Sequence, residues 1–123
     1  MIKNILFVAM GGATGSVLRF LCQKWVAGFS TLSFPLGTFM VNVIGCFLIG
    51  IFFSLAAKNI SFNTQWQLLL MTGLCGGFTT FSAFTLEGMG LLKQDKIGLF
   101  FLYTGASVLL GLVATWMGIR LFK

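Results

Sequence analysis

Long apolar runs separated by short polar connections make up the chain. Residues 34–57 and 97–119 contain no charged side chain, and each run exceeds the roughly 20 apolar residues that a helix needs to cross a bilayer. A third uncharged run covers residues 66–86. The first run, residues 5–18, is shorter and is followed by Arg19. It reaches spanning length if Arg19 lies near the helix end and its side chain snorkels to the interface.

This pattern predicts an all-α integral membrane protein with one domain, residues 1–123, and four transmembrane helices. The predicted spans are about residues 4–25, 34–57, 66–91 and 97–120, joined by connections at 28–33, 58–65 and 93–96. Tryptophans at 25, 66 and 116 fall near span ends, where indoles favour the interface. A cleaved signal peptide is the alternative for the first run, because Lys3 precedes it, but no small-residue cleavage site precedes Arg19.

The composition excludes several classes of function. Hydrophobic residues make up 58% and charged residues 8%, with a mean hydropathy of +1.01, whereas a soluble domain carries about 25% charge. There is no histidine, and Glu87 and Asp95 are the only carboxylates, so histidine triads and paired-carboxylate chemistry are excluded and no enzyme is expected. The net charge of +6 is scattered singly, without a basic stripe for nucleic acid. Three cysteines without CxxC spacing predict small buried side chains: Cys22, Cys46 and Cys75.

The third span contains an unusual stretch, GLCGGFTTFSAF, at residues 73–84. Adjacent glycines and threonines make a poor helix interior, so we predict a helix broken at Gly76–Thr80. Unwound backbone at membrane depth is tolerated only where protein buries it or a polar cavity lies beside it, and its free carbonyls can face an ion. The alternative is a close helix crossing of the kind that the GxxxG pairs Gly11/Gly15 and Gly73/Gly77 predict.

Neutral polar stripes run along the other spans. Thr38, Asn42 and Gly45 share one face of the second span, and in the fourth Tyr103 lies beside a second stripe: Thr104, Ser107, Gly111 and Thr115. Phe81 and Phe84 share one face of the third span. Packing between helices is the alternative for Asn42, and it is the ordinary explanation for the phenylalanine pair. The absence of an acid from the middle of a span favours a narrow pore of neutral dipoles over a proton-coupled carrier.

Three stretches carry a family resemblance: GGATGSVLRF at 11–20, FPLGTFMVNVIGCFLIG at 34–50 and GLCGGFTTFSAF at 73–84. The chain resembles the CrcB/Fluc fluoride channels, four-helix bacterial membrane proteins. The resemblance implies a fluoride-selective channel for passive export of fluoride and protection from its toxicity. It further implies an antiparallel dual-topology homodimer in the inner membrane, with two pores and a structural sodium ion at the dimer centre.

The resemblance also assigns residues. It implies sodium ligation by the carbonyls of Gly76 and Thr79 and places Arg19 at the vestibule. It implies a fluoride pore lined by Asn42, Phe81, Phe84, Ser82, Thr80, Tyr103 and Ser107. Ala83 departs from the pattern, since relatives often have a hydroxyl there, which leaves the pore wall one donor shorter.

Charge counting predicts dual topology independently. Four basic residues lie on the side of the two termini: Lys3, Lys58, Arg120 and Lys123. Four lie on the other side: Arg19, Lys24, Lys93 and Lys96. The positive-inside rule then gives the chain no preferred orientation. Two other functions remain as alternatives: a small multidrug-resistance-like antiporter, which needs an acid that residues 5–18 lack, and a non-transporting membrane assembly subunit.

Overall fold

Four long apolar helices form the structure, a computed structural model that describes residues 1–29, 34–58 and 63–122. The predicted connections at 28–33 and 58–65 lie partly outside the described residues, as does Lys123. Helix α1 is Ile2–Phe29, α2 is Leu36–Lys58 and the last helix is Ile97–Leu121. Each is long and apolar enough to span a bilayer, which confirms the all-helical, four-span prediction.

Helix α1 continues well past Arg19, to Phe29. The helix thus ends four residues beyond the end predicted for the first span, at about residue 25. The arginine is half-buried, and its guanidinium Nε donates to the carbonyl of Gly77 at 3.2 Å. A charged side chain within an apolar helix is stabilised by a protein partner as well as by snorkelling, and that partner was not predicted from the sequence.

The third span consists of two helical segments. The first, α3, comprises Thr64–Gln67, a π-helical turn at Leu68–Cys75 and a short stretch at Gly76–Phe78; the second, α4, is Phe81–Lys93. Between them Thr79 (φ −87°, ψ 159°) and Thr80 (φ −150°, ψ 119°) have extended backbone. The interruption is shorter than the Gly76–Thr80 stretch predicted from sequence, because the two glycines remain helical and the β-branched threonines do not.

Glycines bring the helices together in two pairs. In the first pair, α1 against α3, a Cβ atom at Gly11 would lie 2.9 Å from the Gly73 Cα, and one at Gly15 would lie 2.8 Å from the Phe78 nitrogen. In the second pair, α2 against α5 (Ile97–Leu121), a Cβ atom at Gly118 would lie 2.9 Å from the Ile51 nitrogen. Backbones this close leave no room for a side chain, which is the use of small residues in membrane helix packing. The GxxxG prediction for α1 and α3 is confirmed.

A tight turn joins α4 to α5. Asp95 has a positive φ of 59°, a conformation that aspartate tolerates better than most residues. Its backbone N–H donates to the Leu92 carbonyl at 3.1 Å, and that of Lys96 donates to the Leu91 carbonyl at 2.9 Å. These bonds satisfy the last carbonyls of α4 and turn the chain directly into the final span.

Candidate functional site

The interruption in the third span is held by the amide of Asn42. The Asn42 Nδ2 donates to the carbonyl of Thr80 at 3.1 Å, and the Thr80 N–H donates to the Asn42 Oδ1 at 2.8 Å. This reciprocal pair satisfies both backbone groups of an extended residue at membrane depth, where water does not compensate them. Asn42 has two amide hydrogens, so one donor remains beyond the bond to Thr80.

Position 80 also caps the helix that follows. The Thr80 Oγ1 accepts from the Ala83 N–H at 3.2 Å, which makes it the N-cap of α4, and it lies 3.4 Å from the Ser82 Oγ. In a continuous helix the Thr80 and Ala83 N–H groups would donate to the carbonyls of Gly76 and Thr79. Here the Thr80 N–H donates to the Asn42 Oδ1 instead, and the Ala83 N–H donates to the Thr80 Oγ1. The interruption therefore releases the two carbonyls that the resemblance assigns to sodium.

Aromatic rings continue from the interruption along α4. The Phe81 and Phe84 ring centroids lie 5.8 Å apart, and Phe84 lies 5.2 Å from Tyr103 of α5. Tyr103 also makes an edge-to-face contact with Phe34, at 5.3 Å and 89°. Phe81 is 77% exposed in the single protomer, whereas Tyr103 is completely buried. The rings thus run from the protomer surface to its interior.

A cavity of about 390 Å³ opens beside the interruption, between α2, α3, α4 and α5; we call it the central cavity. Most residues selected from the sequence line it: Asn42, Gly76, Thr79, Thr80, Phe81, Phe84 and Ser107. Ser82 lies next to the cavity through its contact with Thr80, and Tyr103 packs behind Phe84. Arg19 is not among the lining residues and contacts the Gly77 carbonyl instead.

Two buried hydroxyl groups lack a hydrogen-bond partner in the part of the chain that the structure describes. They are the Tyr103 OH and the Ser107 Oγ. A buried polar group without a partner costs about 1–3 kcal/mol, so such groups mark places where a further ligand can be accommodated. Ser107 lines the central cavity, and the Tyr103 ring contacts Phe84, which lines it.

A series of hydrogen bonds between three side chains was not predicted from the sequence. Gln23 of α1 donates through Nε2 to the Thr38 Oγ1 at 3.0 Å, and Thr38 in turn donates to the Glu87 carboxylate. These three residues line a second cavity, of about 440 Å³. The sequence left open whether Glu87 pairs with a loop lysine or faces the vestibule; its partner here is a threonine two helices away. The spacing of residues along one helix does not predict a series of hydrogen bonds that connects three helices.

Comparison with known proteins gives consistent matches over nearly the whole chain. Residues 6–119 match the family model described as CrcB-like protein, Camphor Resistance (CrcB). A protein of Flavobacterium psychrophilum named fluoride-specific ion channel FluC is 45% identical over 121 residues, covering 98% of each chain. A protein of the same name from Phocaeicola vulgatus is 46% identical over 117 residues, covering 95% of this chain and 96% of its own. A third, from Methylobacillus flagellatus, is 45% identical, covering 98% of this chain and 94% of its own.

Proposed function

This chain belongs to the CrcB family, and from that membership we propose that it is a fluoride-specific ion channel of the membrane. The observation that carries the proposal is the near full-length similarity to proteins named as such channels. The channel lets fluoride leave the cell passively. Hydrogen fluoride enters uncharged and dissociates in the cytoplasm, and a negative-inside potential drives the anion out through a pore.

The fluoride path runs along the central cavity. Fluoride is small and strongly hydrated, so a pore has to replace its water by strong donors. The remaining amide hydrogen of Asn42 and the unpartnered hydroxyl groups of Tyr103 and Ser107 are such donors. Phe81 and Phe84 can add the positive edges of their rings. A narrow site with these few donors favours the smallest halide by size and field strength.

A sodium ion at the dimer centre is the cofactor that we propose. The fit rests on the donor set: the carbonyls of Gly76 and Thr79 have lost their helical donors to Asn42 and Thr80. Carbonyl oxygens from unwound membrane helices are suitable sodium ligands. A Cβ atom at Gly76 would meet nothing within 4 Å, so that residue faces open space in a single protomer. With a second copy against this surface, the cation would hold the subunits together and raise the potential for anions.

The assembly that we propose is an antiparallel homodimer in the inner membrane, formed by chains inserted in both orientations. Its support is the balance of basic residues on the two sides of the membrane. The exposed Phe81 ring also favours it, because a polar interruption flanked by that ring is poorly suited to lipid. Arg19, whose side chain is bound to the carbonyl of Gly77, is the vestibule residue that we propose.

Fluoride efflux from liposomes that contain only the purified protein tests the function. A fluoride electrode should record rapid release with a potassium ionophore present, and no release in protein-free vesicles. A proton-coupled antiporter would instead respond to a pH gradient, although residues 5–18 lack the acid that it needs. A non-transporting assembly subunit would release no fluoride. Chloride in place of fluoride should give at most slow efflux.

A further inference from the structure

Three sulfur-containing residues line the central cavity and have no part in the fluoride path. Cys46 contributes from α2, and Met71 and Cys75 contribute from α3. Both cysteines are free thiols. Cys22, the remaining cysteine, is on α1 and does not line the cavity. All three cysteines were expected to be small buried side chains, and the fold separates Cys22 from the other two.

Close packing and hydrogen bonds fix the backbone around the two cysteines. Gly45, the neighbour of Cys46, packs directly against the methyl group of Thr79. The Thr79 Oγ1 donates to the Cys75 carbonyl at 2.9 Å. The Cys46 carbonyl accepts from the Thr115 Oγ1 at 3.0 Å. Helices α2 and α3 therefore contact each other beside the cysteines, and both cysteines line one cavity. The Cys46 sulfur also packs against Gly111 of α5, where a Cβ atom would lie 3.3 Å from it.

Met71 completes the cluster with a thioether. It lies one turn before Cys75 in the π-helical segment Leu68–Cys75, and both side chains line the cavity. Thioether and thiolate sulfurs are soft ligands, which select soft d10 cations over magnesium, calcium or sodium. The part of the chain that the structure describes holds no group of three histidine, cysteine or acidic side chains, so this cluster offers no set of hard or borderline ligands for zinc.

We propose that Cys46, Cys75 and Met71 form a binding site for a soft monovalent cation of the copper(I) or silver(I) class, and that an ion bound there blocks the fluoride path. The site itself follows from the sulfur ligands, whereas the block rests on the proposed channel function. Asn42, Thr80 and Phe81 line the same cavity, so a metal ion in it occupies space that the anion needs.

Charge balance sets the form of the complex. One thiol loses its proton to the aqueous phase as its sulfur binds the cation, and the complex of one thiolate with one monovalent cation is neutral. The second thiol and the thioether donate lone pairs and lose nothing, and no atom changes oxidation state. Ionisation of the second thiol would leave a net negative charge at membrane depth, which is costly. A divalent hard ion gains no comparable neutral complex.

Silver(I) is the probe for the test, used in chloride-free nitrate buffer because silver chloride is insoluble. The background protein is Cys22→Ser, which removes the cysteine outside the cavity. After exposure to silver nitrate and buffer exchange, elemental analysis should find about one silver ion per protomer. Cys46→Ser and Cys75→Ser, each added to this background, should lose the retained silver. Met71→Leu keeps both thiols and should retain silver only at higher silver concentration.

Fluoride efflux from liposomes gives the second readout. Silver should stop efflux through wild type and through Cys22→Ser, and should leave efflux through the Cys46→Ser and Cys75→Ser double variants unchanged. The proposed site would be contradicted if all cysteine variants retained the same amount of silver, or if Cys22→Ser retained no silver. Silver retained without any effect on efflux would overturn the block. If no protein conducts fluoride even without silver, the channel function fails, and silver retention still decides the site. If a serine variant elutes abnormally on size exclusion, the silver retention of Met71→Leu tests the site instead, and retention equal to that of Cys22→Ser would contradict it.

Discussion

Gly45 of α2 packs against the methyl group of Thr79 so closely that no Cβ atom fits between them. The contact sets the distance between α2 and the interruption of the third span. Three residues earlier on α2, Asn42 can then reach Thr80 with both polar atoms of its amide. Close packing at a glycine and hydrogen bonding at an asparagine thus stabilise one local geometry.

The first prediction concerns Gly45→Ala. The added methyl group should push Thr79 away, at a cost of about 1–3 kcal/mol for overpacking, and should lengthen the bonds between Asn42 and Thr80. We expect lower thermal stability in detergent and a marked loss of fluoride efflux. Gly90→Ala on α4 is the matched control, because a Cβ atom there meets nothing within 4 Å. An unchanged efflux rate in Gly45→Ala would show that the contact does not position the interruption.

The second prediction concerns Asn42. Asn42→Ala leaves the Thr80 N–H and carbonyl without their partner, which costs about 1–3 kcal/mol, and it removes a pore donor. We expect efflux to fall more than the yield of dimer on size exclusion does. Asn42→Asp should abolish efflux, because the carboxylate cannot donate and, when ionised, repels the anion.

Asn63→Ala is the control for Asn42. Asn63 is also a structural amide, since its Oδ1 caps α3 by accepting from the Gln65 and Trp66 N–H groups at 3.0 and 3.2 Å. Its loss should lower stability by about 1 kcal/mol and leave efflux unchanged. Normal efflux in whatever Asn42→Ala dimer remains would assign that residue to packing alone.

The third prediction concerns the ring pair of α4. Phe81→Ile and Phe84→Ile remove the ring edges that line the central cavity, and each should impair efflux while the dimer stays assembled. Phe53→Ile is the comparison, because that side chain is 55% exposed and lies outside the cavity lining. If all three variants transport at the wild-type rate, the Phe81 and Phe84 rings serve packing only.

The fourth prediction concerns the cation. Replacing sodium by N-methylglucamine throughout purification and reconstitution should abolish efflux, because the Gly76 and Thr79 carbonyls lose the ion that we place between them. Adding sodium back should restore efflux, which separates ion loss from irreversible unfolding. Full activity in protein shown by elemental analysis to be free of sodium would remove the cation from the mechanism.

The fifth prediction concerns orientation. Reporters fused to the C-terminus, one active only inside the cell and one only outside, should both give signal. Asn4→Lys with Thr64→Lys adds charge beside the termini and should silence the outside reporter. Gln94→Lys with Gly98→Lys adds charge on the other side and should silence the inside reporter. All four positions are exposed. A wild-type signal from one side alone would contradict the antiparallel dimer.

The class of protein and its four spans follow from the amino-acid sequence alone. Apolar length is a local property, because a helix satisfies its own backbone hydrogen bonds in lipid and needs no partner to be recognised. The same holds for the interruption near Thr79 and Thr80, since glycine and β-branched residues weaken a helix wherever they occur. The Asn42 amide also stood out, because an amide at mid-membrane depth needs a partner, whereas the pair Phe81 and Phe84 is unremarkable among fifteen phenylalanines.

Contacts between residues of different helices could not be predicted in this way. The bond from Arg19 to the Gly77 carbonyl and the chain from Gln23 through Thr38 to Glu87 join residues from different helices. The separation of Cys22 from Cys46 and Cys75 arises in the same way. Such meetings depend on the rotation and spacing of packed helices. Rotation and spacing are set by backbone contacts at glycines such as Gly15 and Gly118. The periodicity of a single span does not show how the neighbouring helix is rotated.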